Sequence, residues 1–165
     1  MVQFIEAMKK AKKGYPKQDR WRVVEHHHEF EYVTMGGSTI ALEKDGNICG
    51  LCRNVSDRLC GEMLLDLAIQ MGGTKTQAFG RKLYEFYTKN GFYPVSWIKF
   101  NYDKIKVKGW KKKYGEEPLI FYAYWQTKKA ESYDEFIMST NPSRTEKSAY
   151  KNRDKWIEIM KRIKK

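Results

Sequence analysis

The chain has 165 residues, 41% of them apolar and 15% aromatic, enough for a packed core in a single domain and too much for wholesale disorder. Its 32 Lys/Arg against 20 Asp/Glu give a net charge of +12. No apolar run approaches the ~20 residues that span a bilayer, and the N-terminus shows no signal-peptide block, so the expectation is a cytoplasmic protein without a membrane partner.

The charge is unevenly placed. Residues 1–22 carry seven Lys/Arg against two acids (+5) and residues 144–165 nine against three (+6), whereas residues 23–100 carry eight against nine (−1). Such basic ends suit nucleic acid or an acidic protein surface, and suit a solubilising surface equally well.

In chain order, Val2 to Lys13 reads as a helix with Phe4, Ile5, Met8 and Ala11 on one face, stopped by Gly14-Tyr15-Pro16. Arg22 to His26 reads as strand, with Phe30 and Tyr32 continuing the alternation. Consecutive strand residues point to opposite faces, so His26 and His28 could share a metal and His27 could not; with no third ligand, no metal is expected. Gly36-Gly37 is a turn. Thr39–Glu43 and Ile48–Arg53 are strands joined by the Asp-Gly turn at Lys44–Asn47. Cys49 and Cys52 have Cys-x-x-Cys spacing, but inside a β-prone stretch and without a second ligand pair they read as reduced residues filling a strand.

Ser56 and Asp57 read as helix caps ahead of Leu64, Leu67, Ala68 and Met71, an i, i+3, i+4, i+7 face ended by Gly72-Gly73. Thr76–Phe79 is β-prone and is broken by Gly80. Leu83, Phe86 and Tyr87 then predict one apolar helix face, stopped at Asn90-Gly91 and followed by a strand over Val95–Phe100. Residues 101–117 form a lysine-rich loop with Trp110 and Tyr114. Leu119–Trp125 is a strand apolar on both faces, and Tyr133–Ile137 a short helix. After a break at Asn141-Pro142-Ser143, Thr145–Lys165 predicts a basic amphipathic helix with Trp156, Ile159, Met160 and Ile163 on one face.

Tyr84-Glu-Phe-Tyr-Thr-Lys-Asn-Gly-Phe92 resembles the Phe-Tyr-x-x-x-Gly-Phe signature of GNAT-type acyl-CoA N-acetyltransferases. The order of elements around it is similar to a GNAT-like family found among bacteriophage and prophage proteins. The resemblance spans residues 1–125 and is most specific over 64–100. It implies an α+β fold, a central mixed but mostly antiparallel sheet flanked by helices, as a domain over residues 1–126. Residues 127–165 would be a basic helical extension.

The resemblance also implies acetyl-CoA as cofactor and direct acetyl transfer to an unidentified amine. Cys49, Gly50, Leu51, Cys52 and Arg53 would lie on the strand that pairs with the coenzyme's amide arm, backbone N–H groups near Leu51 and Cys52 polarising the carbonyl. Arg58 and Gly61, in Arg58-Leu-Cys-Gly61-Glu-Met63, would hold the pyrophosphate, and Tyr87 would protonate the leaving sulfur. Met63, Gly80 and Leu83 depart from the family pattern. The alternative is a catalytically degenerate GNAT-fold binding protein, a phage-type accessory or inhibitor, that contacts nucleic acid or a protein through its basic ends.

Overall fold

A computed structural model describes residues 30–35, 38–52, 60–99 and 117–163. The expected N-terminal helix, the histidine run, the Gly36-Gly37 turn, Arg53, Ser56, Asp57, Arg58 and the 101–116 loop lie outside the described residues. Among those described are six strands and four helices, an α+β fold. They are β1 (Phe30–Met35), β2 (Ser38–Glu43), β3 (Asn47–Cys52), α1 (Cys60–Gln70), β4 (Lys75–Phe79), α2 (Gly80–Lys89), β5 (Phe92–Ile98), β6 (Leu119–Tyr124), α3 (Tyr133–Ser139) and α4 (Glu146–Ile163). The chain divides into two compact units, Met1–Thr74 and Lys75–Lys165.

In the first unit β1, β2 and β3 form an antiparallel meander, with Phe30 opposite Glu43 and Leu42 opposite Ile48. The Asp-Gly turn forms as expected: the Asn47 backbone N–H donates to Asp45 Oδ1 (3.1 Å), and the Asn47 side chain donates to Glu43 (2.7 Å). Along β2, Ser38 to Leu42 are all buried, so both faces of the strand are covered. Helix α1 packs on β2 and β3. It buries Gly61, Leu64, Leu65 and Ala68; Met71, expected on the same face, is 37% exposed. Met71 falls just past the end of α1 at Gln70, whereas Leu65, off the expected face, is 0% exposed.

In the second unit β6, last in sequence, lies between β4 and β5 and runs antiparallel to both. The β4–α2–β5 crossover thus leaves a gap of one strand, which β6 fills. Its Ile120, Phe121, Tyr122 and Ala123 are 0–1% exposed, as expected for a strand covered on both faces. Alternation sends Tyr122 toward α2, where its ring lies 5.3 Å from Tyr87, and Phe121 toward α4, where it meets Tyr150 edge-on at 4.8 Å. Strand β5 starts at Phe92, earlier than expected, and carries Pro94 next to a register shift, where a missing ladder donor costs least.

Of the expected Leu83, Phe86 and Tyr87, helix α2 buries Tyr87, and with it Gly80 and Tyr84. Leu83 is 37% exposed because Tyr84 is the residue that meets α3: its ring packs on Tyr133 and Phe136, and its hydroxyl donates to the Glu131 carbonyl (2.8 Å). A Ser132–Glu135 capping box starts α3, and Asp134 receives Arg81 of α2 in a two-pronged ion pair.

Helix α4 packs on β5 and β6. Ser96 Oγ donates to the Ala149 carbonyl (2.9 Å), and Trp156 stacks on Tyr93 at 5.4 Å. Of the residues expected to share one apolar face, Trp156 packs on the sheet, whereas Ile159 and Ile163 are 45% and 70% exposed. The docked face is centred on Ala149 and Arg153, 0% and 2% exposed, a rotation that apolar periodicity does not register.

Candidate functional site

The predicted site residues divide between the units: Cys49, Gly50, Leu51, Cys52 and Gly61 belong to the first, Tyr87 to the second. Arg53 and Arg58 lie outside the described residues.

In β3 the ladder with β2 breaks at Gly50-Leu51. Thr39 is opposite Cys52 and Ala41 opposite Cys49, so Ile40 alone faces the two residues between. This is a β-bulge, and Gly50 occupies it with φ +59°, a left-handed conformation that a side chain resists. Thr39 Oγ1 donates to the Gly50 carbonyl (3.0 Å), which pins the bulge in place. A bulge takes one residue out of the ladder and redirects its backbone groups, a device common beside active sites.

Cys49 is a free, partly buried thiol. Burial first, then the charges of Glu43 and Asp45, push its pKa up to about 12. It therefore stays protonated at neutral pH and is a poor nucleophile. Gly61 is buried in the first turn of α1, where helix N–H groups lack intrahelical partners. Glu62 follows it in that turn, and Met63 is 55% exposed.

Tyr87 is 5% exposed and is packed among Phe86, Phe92 and Tyr122, at ring distances of 5.3, 5.5 and 5.3 Å. The Tyr122 hydroxyl, which sequence reasoning did not single out, is buried and has no hydrogen-bond partner among the described residues. Its burial, with the neighbouring Tyr87 and Tyr84 phenols, holds its pKa well above the usual phenol value, so it keeps its proton. Apolar periodicity counts this tyrosine as one more strand residue, so no sequence signal marks it. An unmet buried hydroxyl costs about 1–3 kcal/mol. Tyr122→Phe is therefore expected to keep or raise thermal stability, read as an unfolding midpoint no lower than the parent's.

The second unnoticed group is Glu117, just before β6. Its carboxyl lies against Gly80, the first residue of α2, and Gly80 N–H donates to the Pro118 carbonyl (3.1 Å). A carboxylate at a helix N-terminus is favoured by the macrodipole. Its charge also helps raise the Tyr133 pKa, after burial. Among the described residues no group of three His, Cys, Asp or Glu side chains is placed to hold a metal ion, and no helix is long and apolar enough to cross a membrane. Comparison with protein-family models, with curated proteins and with solved structures finds no match for this chain.

Proposed function

We propose that the chain is an acetyl-CoA-dependent N-acetyltransferase of the GNAT type, transferring acetyl directly to an amine. The observation that carries this reading is the bulge in β3. Of the strands available, the one whose residues resemble the coenzyme-pairing strand has its ladder interrupted at Gly50-Leu51. A backbone released there suits pairing with an amide arm and polarising a carbonyl. The antiparallel pairing of β6 with β5 is a second support, because the resemblance implies that pairing for the last strand.

Acetyl-CoA would supply the activated thioester carbonyl. The chain's own contribution begins with donors at Leu51 and Cys52, which stabilise negative charge developing on the carbonyl oxygen. As the resemblance implies, Tyr87 would give a proton to the leaving sulfur while the proton lost by the attacking amine would pass to solvent. The protonated Cys49 thiol favours direct attack by the amine over an acyl-cysteine intermediate. Amide groups of the first turn of α1 around Gly61 suit the pyrophosphate.

Thermal unfolding with acetyl-CoA, with CoA and without ligand tests the reading. Acetyl-CoA at a hundred times its Kd should stabilise by about 2.7 kcal/mol, an upward shift of several degrees. An unchanged midpoint at millimolar acetyl-CoA would remove the proposal. Tyr87→Phe should keep that shift and lose turnover, whereas unchanged turnover would take Tyr87 out of the reaction.

A further inference from the structure

The outward face of α4 is built differently from an ordinary solvated helix surface. Four anchors set the rotation of the helix. Ala149 and Arg153 are buried, Tyr150 meets Phe121, and Trp156 stacks on Tyr93. Taking Arg153 as the direction of the sheet, about 100° per residue places Lys147, Lys151, Lys155 and Arg162 between about 120° and 200° away, on the opposite side. All four are exposed.

Glu158 is the one acid in that sector, so the face is a nearly continuous cationic row. None of the four cations enters an ion pair or hydrogen bond among the described residues. The acid of the adjoining turn, Asp154, is engaged by Arg153 (3.1 Å) and Lys75 (3.7 Å) instead. From Lys147 to Arg162 the row runs about 22 Å, with the first three cations about 6 Å apart.

We propose that α4 is a sequence-independent nucleic-acid-binding helix, holding a phosphodiester backbone along Lys147, Lys151, Lys155 and Arg162. Phosphates recur every 3.4 Å of axis on each strand, so a row of about 22 Å spans roughly six base pairs. A helix already docked on a sheet presents its cations without an ordering cost at binding. The other home for a basic amphipathic helix is an anionic membrane surface, which requires the apolar face to enter the headgroup layer. In α4 the side from Ala149 to Trp156 is occupied by β5 and β6. That leaves only Ile159 and Ile163 exposed among its large apolar residues, too little to enter a headgroup layer, and this favours nucleic acid. This inference is independent of the acyltransfer reading.

The test is fluorescence anisotropy of a labelled mixed-sequence duplex, and of its single strand, against the full chain over a salt series. Four phosphate contacts contribute about −3.6 to the slope of log K against log salt on duplex, an affinity loss of about 100-fold between 50 and 200 mM salt. The variant K147Q/K151Q/K155Q/R162Q should unfold at the parent's temperature and lose that part of the slope. A control with the same charge change elsewhere, K44Q/K82Q/K89Q/K99Q, should keep it. Equal slopes in parent and row variant would overturn the proposal, as would an equal loss in the control. So would row-dependent retention on phosphatidylserine–phosphatidylcholine vesicles without binding to either nucleic acid.

Discussion

Replacing Arg153 by alanine is expected to destabilise the protein by about 3 kcal/mol, lowering the unfolding midpoint by roughly 6–12 °C. Arg153 is 2% exposed, the largest fully buried side chain among the described residues, and it reaches from α4 to β4. Its Nη1 donates to the Thr76 carbonyl (3.4 Å) and to Gln77 Oε1 (3.3 Å), Nε donates to Asp154 (3.1 Å), and the guanidinium lies 5.1 Å from the Tyr150 ring centre.

The bonds to β4 are long, and Asp154 is half exposed, so these polar contacts offset little of the cost of taking a cation out of water. Filling the space between helix and sheet is then the larger contribution. Arg153→Met should accordingly cost within about 1 kcal/mol of the parent, since it keeps most of the volume without the charge. Chemical denaturation of both variants separates the two effects. If methionine proves as damaging as alanine, the hydrogen bonds rather than the packing hold α4 in place.

Gly80→Ala is expected to cost about 3 kcal/mol, an unusual penalty for a change that ordinarily favours a helix. Two independent terms contribute. Gly80 has φ +75°, where a Cβ costs about 1–2 kcal/mol. A Cβ there would also lie 2.3–2.5 Å from the atoms of the Glu117 carboxyl, so that carboxylate must leave the start of α2. Glu117→Ala should make part of the damage disappear. In a double-mutant cycle the coupling relieves the clash, and the residue of about 1–2 kcal/mol measures the backbone alone. Strict additivity of the two changes would show that the carboxylate and the glycine do not meet.

A glycine at position 80 thus has a physical reason in this chain: the space a side chain would take is occupied by the Glu117 carboxyl, from just before β6. Nothing in the spacing of Glu117 announces this, because it follows the lysine-rich loop and lies outside any periodic element. Tyr122 was equally silent. A tyrosine in an apolar strand reads as core, and core it is; that its hydroxyl goes unmet depends on what Tyr84 and Tyr87 of α2 present to it.

Local order was readable where a few neighbouring residues decide the conformation. The Asp-Gly hairpin between β2 and β3, the glycine stops after α1 and α2, the double-sided burial of β6 and the short helix at Tyr133 all depend on turn chemistry or composition within a handful of positions. The rotation of each helix needed the surface it packs on. Periodicity allowed α2 to turn either Leu83 or Tyr84 inward, and the aromatic contacts of α3 selected Tyr84. In α4 it ranked Ile159 and Ile163 above an arginine, yet the space between helix and sheet is filled by the long Arg153 side chain, which reaches β4.

The same division applies to the stretch Tyr84–Phe92 and the strand at Cys49–Cys52. Residue order marked both stretches, because a glycine stop and an alternating strand are written in adjacent residues. The bulge that makes β3 a candidate for catalysis was decided only by pairing, since two residues stand opposite Ile40 only once β2 and β3 are in register. A ladder's irregularity belongs to both strands at once, and no single stretch of sequence contains it.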